Sequence, residues 1–320
     1  MNMREQADRL IYQIEAADSI VLFRHVMADG DAMGAQFALK TWIMEHYPDK
    51  SVYAPGHSVG ACAAYYPQVD EVTDTVIARS LAIVLDTATS ARVDDSRWQL
   101  AAKTVRIDHH LLVERFCDEE IVDEQAAATC EILARLFASR EEVLSRTCAQ
   151  YLYSGLISDT INFTISSTSE RTLQAAAYLL RFGVDVVRLQ MQHFGTSLRD
   201  FRYESWLRSQ LCFEKGVGHV IADQADYARH QLSFREAKEK VFVLSGIYEI
   251  EVWALFTQME GTEEDPRYSG SLRSRTIALD DIANAYGGGG HRCACGIKNL
   301  SRSQIETLIE ALKQRVQENT

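Results

Sequence analysis

Four separate stretches end in residues that can hold a cation or move a proton. FRHVMADGDAMG (23–34) leaves an apolar run and places His25, Asp29 and Asp31 close together, with Gly30 and Gly34 between and after. LAIVLDT (81–87) carries Asp86, and TVRIDHH (104–110) ends on Asp108, His109 and His110. Asp159 stands in GLISDT, just after an expected helix. Carboxylates and imidazoles are poor core residues unless paired, protonated or bound to metal. One aspartate after a strand is usually a turn residue or a helix cap, and two adjacent histidines usually lie at the surface. The same ligand types at four element ends point instead to a metal centre. Carboxylate-rich sites with a few imidazoles suit Mn²⁺ or Mg²⁺ better than structural zinc. Six or more such groups exceed the need of one ion and indicate two, which about 4 Å apart can clamp the oxygens of an in-line phosphoryl displacement.

A second constellation lies far downstream. GGGGHRCACG (287–296) lacks Cβ atoms over four residues, which lets backbone amides approach an anion closely. His291 follows directly. Upstream, SGSLRSR (269–275) supplies Arg273 and, as a weaker candidate, Arg275. A guanidinium can grip a phosphate in bidentate fashion. Tyr65 and Tyr66 could stack on bases, but core packing is the better expectation.

These groups need a frame. SIVLFRH (19–25), LAIVLDT and TVRIDHH read as buried strands, being continuous apolar runs rather than alternating ones. Helices are expected over 3–16, 33–47, 126–138 and 144–158. Strands alternating with helices predict an α/β fold with a mostly parallel sheet covered on both faces. In such open sheets ligands bind beyond the carboxyl ends of the strands, where the four stretches would converge. This domain is expected over 1–185 and a helical connector over 186–210. A smaller α/β domain with a mixed sheet follows over 211–320, with strands in GVGHVIAD, VFVLSGI, YEIEVWALFTQ and RYSGSLRSRTI. Its last helix begins near Ser303, with Ser303 and Glu306 as a capping box and Ile305, Leu308, Ile309, Leu312 and Val316 as the apolar stripe.

The chain has 320 residues and a formal net charge of -12, which disfavours long nucleic acid held on a general basic surface. A short anionic ligand in a local pocket remains compatible. Seven cysteines at scattered positions read as reduced thiols, including Cys293 and Cys295. The charged N-terminus lacks the apolar centre of a signal peptide, and no apolar run approaches membrane-spanning length. A cytoplasmic protein with no membrane partner is expected; a homodimer is compatible with the sequence.

In their order, HVMADGD, LDT, DHH and SDT resemble the four motifs of the DHH phosphoesterase superfamily, whose members are two-metal, usually manganese-dependent enzymes. The resemblance implies that His25 and Asp29 bind one ion and Asp31, His109 and Asp159 the other, with Asp86 bridging. It implies that His110 contacts the scissile phosphate and that Asp108 orients a ligand histidine. The family commonly has Pro where this chain has Ala28. The Arg-Ser strand and the GGGH loop resemble the DHH-associated domain, which in that family faces the metal site and binds the substrate's terminal phosphate and base. Carried over, Arg273 would hold a phosphate, and Gly288, Gly289, Gly290 and His291 would line a nucleotide site. The usual small, proline-containing stretch after this histidine is replaced by Arg292, Cys293 and Cys295. The compact size is similar to nano-RNases, oligoribonucleases that also dephosphorylate 3′-phosphoadenosine 5′-phosphate (pAp). Implied substrates are therefore very short RNA and pAp, with cyclic or linear di-adenylate as an alternative. A slow-turnover nucleotide sensor is the reading from another class. A pyrophosphatase would have no use for Arg273 and the glycine loop.

Overall fold

A computed structural model describes residues 2–57, 64–262 and 264–319. The chain forms two compact units, Met1–Gly195 and Thr196–Thr320.

The first unit is built on five parallel strands, β1 (Ser19–Phe23), β2 (Ser51–Tyr53), β3 (Leu81–Leu85), β4 (Lys103–Asp108) and β5 (Glu119–Val122), in the order β2-β1-β3-β4-β5. Its helices are α1 (Met3–Ala16), α2 (Gly30–His46), α3 (Asp74–Ile77), α4 (Thr129–Ser139), α5 (Arg146–Asp159), α6 (Glu170–Leu180) and α7 (Val186–Phe194). Alternation of side chains along a strand explains the continuous apolar runs. Ile20 and Leu22 pack with α1, α2, α4 and α5 on one face. Val21 and Phe23 pack with Ile77, Val93 and Trp98 on the other. Both faces are covered, so both phases of β1 and β3 are apolar, whereas one phase of β4 carries the buried Arg106 and Asp108. The strands also run in step: Phe23 pairs with Val84, Val84 with Arg106, and Leu85 with Ile107. Their carboxyl ends therefore open onto one edge.

The second unit holds α8 (Leu198–Ser209), β6 (Cys212–Glu214), β7 (Val217–Ala222), α9 (Gln224–Ala228), α10 (Phe234–Glu239), β8 (Val252–Gln258), β9 (Tyr268–Ser274), α11 (Asp280–Ala285), β10 (Gly289–His291), β11 (Ala294–Leu300) and α12 (Arg302–Asn319). Its sheet runs β10-β11-β9-β8-β7-β6, with β7 and β8 parallel and the other neighbours antiparallel. The stripe Ile305, Leu308, Ile309, Leu312 and Val316 is buried against this sheet.

Several expectations shift. The stretch 186–210 is two helices, α7 in the first unit and α8 in the second. VFVLSGI is not a strand: Lys240–Leu244 is a 3-10 helix that buries Val241, Val243 and Leu244. The glycine run is not an open loop throughout, because Gly289–His291 is strand β10. The last capping box sits two residues earlier than expected. Gln304 N donates to Ser301 Oγ at 3.3 Å, and Ser301 N donates to Gln304 Oε1 at 2.9 Å. Among the described residues no helix is long and apolar enough to cross a membrane. Cys117, Cys130, Cys148, Cys212, Cys293 and Cys295 are free, and Cys62 lies outside the described residues.

The displaced cap gives a direct test. Ser301→Ala should lower stability by about 1 kcal/mol, whereas Ser303→Ala should change it by less than about 0.5 kcal/mol. Urea unfolding of the two variants checks this, and equal losses would contradict the cap at Ser301.

Candidate active site

The turn after β1 is shaped by Asp29. Its Oδ1 accepts the amides of Asp31 and Ala32, both at 3.1 Å, making it the N-cap of α2. This is why α2 begins at Gly30 rather than near Met33. The cap leaves Oδ2 free to face His25 Nε2 at 3.6 Å. His25 is itself oriented by Nδ1 donating to Val26 O at 2.7 Å, which turns Nε2 toward Asp86 Oδ2 at 3.4 Å.

Asp31 lies on the first turn of α2 and is fully buried. Its carboxylate reaches the start of α4, where Oδ2 accepts Thr129 N at 2.6 Å and Oδ1 accepts Cys130 N at 2.9 Å. A helix N-terminus is a natural seat for negative charge. Asp86, just past β3, has φ 51° and is buried. Aspartate tolerates this left-handed conformation better than most side chains. Thr129 Oγ1 donates to Asp86 Oδ1 at 3.1 Å. His109 Nε2 lies 3.4 Å from both Asp86 Oδ1 and Asp159 Oδ2. Asp159 is the last residue of α5, not a residue beyond it. It is followed by Ile161, Asn162 and Phe163 with φ of 44°, 56° and 66°. This left-handed turn is unfavourable for non-glycine residues, above all for β-branched Ile161. It is held by Asn162 N donating to Ile157 O at 2.8 Å and Phe163 N to Thr160 Oγ1 at 3.0 Å.

Among the described residues, three groups of side chains thus offer ligand atoms within 4.8 Å of one another: His25, Asp29 and Asp86; Asp31, His109 and Asp159; and Asp86, His109 and His110. The first two join through Asp86, which lies beside both His25 and His109. The donor set fits a divalent ion. His109 Nε2 is buried and makes no hydrogen bond. Burial and the charges of Asp86 and Asp159 push the Asp31 carboxyl well up. Burial and the charges of Asp86 and Asp29 push Asp159 up to about 8. His25 is raised to about 10 by Asp29 and Asp86 despite its burial, so without a cation a proton takes the cation's place.

Asp108 and His110 form a pair at the side of this centre. His110 Nδ1 donates to Asp108 Oδ1 at 2.8 Å, and Arg106 Nη2 donates to Asp108 Oδ2. Despite burial, His110 and Arg106 hold the Asp108 carboxyl down to about 2. In turn the hydrogen bond to Asp108 raises His110. The histidine that Asp108 orients is therefore His110.

In the second unit, β-sheet register places His291 opposite Ala294, Ala294 opposite Arg273, and Arg273 opposite Trp253. Residues paired across strands share a face. Arg273 and His291 thus lie on one face two strands apart, about 10 Å at the usual strand spacing. Arg273 Nη1 donates to Leu272 O at 2.8 Å and has no carboxylate partner among the described residues. Arg275 lies beyond β9 and is tied to Ile247 O and Glu251. Two of the glycines are required by packing. A Cβ on Gly288 would lie 2.5 Å from Gly296 O, and one on Gly290, at φ +143°, 2.3 Å from Ala294 O. Gly288 N donates to Ala283 O at 2.9 Å.

Thr129, Cys130 and Arg106 escaped the sequence reading. Arg106 left a signal, a charged residue between the apolar Val105 and Ile107. Thr129 and Cys130 hold Asp31 through backbone amides at a helix start, which residue types do not reveal, and Thr129 also donates its hydroxyl to Asp86.

Two families match this chain. Residues 19–156 match the DHH family, N-terminal domain, and residues 218–318 match the DHHA1 domain. The chain is 30% identical over 308 residues to the bifunctional oligoribonuclease and PAP phosphatase NrnA of Bacillus subtilis, covering 95% of this chain and 96% of that protein. It is 29% identical over 305 residues to the probable bifunctional oligoribonuclease and PAP phosphatase NrnA of Streptococcus mutans, covering 95% and 97%. A crystal structure of an exopolyphosphatase-related protein from Bacteroides fragilis is similar in fold, with TM-score 0.75 at 23% identity, covering 98% of this chain and 96% of that one.

The crowded carboxylates predict a specific trade. Asp159 rises from 3.8 to about 8, so between these values the folded chain binds more protons than the unfolded chain. Stability of the cation-free protein should fall as pH rises through that window. Asp159→Asn should raise the melting temperature in chelator at pH 8 by about 3 °C or more. The same change should weaken retention of Mn²⁺ by about tenfold or more. Thermal scans with and without chelator, beside a Mn²⁺ titration, check both; a lower melting temperature in chelator would contradict the repulsion.

Proposed function

The chain belongs to the DHH family, and on that premise we propose that it hydrolyses very short RNA to mononucleotides and pAp to AMP. It is a hydrolase of phosphoester bonds. The observation that carries this reading is the pair of ligand trios joined through Asp86. His25, Asp29 and Asp86 would hold one divalent ion, and Asp86, Asp31, His109 and Asp159 a second. Mn²⁺ suits these oxygen and imidazole donors, with Mg²⁺ as the alternative. When bound, the ions supply Lewis acidity and a nucleophile available near neutral pH.

The protein's own groups set the rest. Val26 O fixes the His25 ring, and the α4 amides fix Asp31, so these donors need little rearrangement on binding a cation. Asp108 holds His110 by Nδ1 and keeps it protonated to higher pH. Its opposite nitrogen, Nε2–H, then serves as a donor to a phosphoryl oxygen or to the departing oxygen. In the second unit, Arg273 would bind a phosphate, and Gly289, Gly290 and His291 would contact the nucleotide. An arginine without a carboxylate partner among the described residues, in a chain of net charge -12, supports that role. Free thiols accord with the cytoplasm, where cysteines stay reduced.

The test is a parallel assay in Mn²⁺ with a dinucleotide RNA, a long RNA, pAp, cyclic di-AMP and pyrophosphate. The dinucleotide and pAp should be cleaved and the long RNA spared. Asp86→Ala should lose at least about a thousandfold in kcat, and Arg273→Ala should raise KM about tenfold with little change in kcat. Cleavage of pyrophosphate alone would remove the roles given to Arg273 and His291. Preference for cyclic di-AMP would move the substrate to di-adenylates, and tight binding without turnover would make the chain a sensor.

A further inference from the structure

His193 of the first unit lies outside all four motifs and yet reaches the turn that carries Asp29 and Asp31. His193 is near the end of α7, four residues after Leu189, which is buried in the core of that unit. That spacing puts both on one helix face. His193 Nε2 lies 2.6 Å from Ser154 Oγ on α5. Ser154 Oγ lies 2.8 Å from Tyr66 Oη. Tyr66 Oη donates to Gly30 O at 3.0 Å. Tyr66 and Ser154 are buried, and Tyr66 packs against Phe37 with ring centroids 6.0 Å apart.

The hydrogen bonds of this relay have a direction. A tyrosine hydroxyl has one hydrogen, and Tyr66 gives it to Gly30 O. The bond between Ser154 and Tyr66 must then use the serine hydrogen. With that hydrogen spent, the bond between Ser154 and His193 must use a hydrogen on His193 Nε2. The relay therefore runs from His193 Nε2–H to Ser154, to Tyr66, and ends on the Gly30 carbonyl. Burial lowers the basicity of His193, in keeping with a neutral ring carrying its hydrogen on Nε2.

Gly30 stands between Asp29 and Asp31. The peptide that joins Gly30 to Asp31 is gripped from both sides: Tyr66 binds its carbonyl, and its N–H, on Asp31, donates to Asp29 Oδ1. His193 also packs against this turn. A Cβ on Gly30 would lie 3.1 Å from His193 Cε1 and 2.4 Å from Ser158 Oγ. We infer that His193 is a positioning residue: through Ser154 and Tyr66 it fixes the Gly30–Asp31 peptide and so the separation of the Asp29 and Asp31 carboxylates. The inference rests on the reading of those carboxylates as divalent-ion ligands.

The experiment is Mn²⁺ titration of the full chain, with free Mn²⁺ followed by electron paramagnetic resonance. His193→Leu removes the donor and keeps bulk; His193→Gln restores an N–H donor near the Nε2 position. His193→Leu should weaken Mn²⁺ binding about tenfold or more, and His193→Gln should stay within about threefold of the wild type. Ser154→Ala cuts the same relay with a smaller change of volume and should match His193→Leu, which covers the case in which His193→Leu does not fold. Wild-type affinity in Ser154→Ala, or equal loss in the Gln and Leu variants at unchanged melting temperature, would overturn the inference. A wild-type chain that binds no Mn²⁺ would overturn the ligand reading itself and this inference with it.

Discussion

Repulsion among carboxylates is the constraint around which the first unit is built. Asp31 and Asp86 are buried, Asp159 is half-buried, and Asp29 stands at the rim with Oδ2 turned inward. Fewer imidazoles than carboxylates face this centre, and each uncompensated charge in a low-dielectric site costs several kcal/mol. The fold spends its strongest local devices here. A helix N-terminus receives Asp31, an N-cap orients Asp29, and a left-handed residue carries Asp86. A second left-handed turn follows Asp159. The left-handed residues among these devices accord with the tendency of strained backbone to gather at functional sites.

Much of this was legible in the sequence because strand ends announce themselves. An apolar run that stops on Asp or His is visible without any coordinate, and Asp86, Asp108 and His109 lie where such a reading puts them. Backbone roles were harder to see. Asp29 reads as a ligand in a turn, but its second task as N-cap sets the start of α2 three residues earlier than the apolar pattern indicates. The amides with which Thr129 and Cys130 bind Asp31 are groups every residue has, so no residue type marks them, although Thr129 adds its hydroxyl to Asp86. VFVLSGI has the composition of a strand, yet its apolar residues fit the tighter pitch of a 3-10 helix packed on Leu207 and Tyr227. Composition alone does not separate these outcomes for a short apolar run.

The second unit shows how a weak motif gains meaning from register. Glycine runs and lone arginines are common, and neither identifies a site alone. Antiparallel pairing from β10 through β11 to β9 places His291 and Arg273 in one row, with Leu272 and Cys295 turned to the apolar core. The glycines serve this pairing. Gly288 and Gly290 lie where side chains would strike the neighbouring strand, so the GGGG signal also reflects hairpin packing.

The in-step ends of β1, β3 and β4 have a consequence for how this sequence can change over time. Ile83 pairs with Leu22 on one side and Val105 on the other, so all three strands keep a common count of residues to the edge. Exchange of one hydrocarbon for another leaves that count intact. Insertion of one residue inside a strand advances everything after it by about 3.3 Å and turns it to the opposite face. The frame should therefore drift freely by substitution while tolerating added or lost residues only in the connections between its elements.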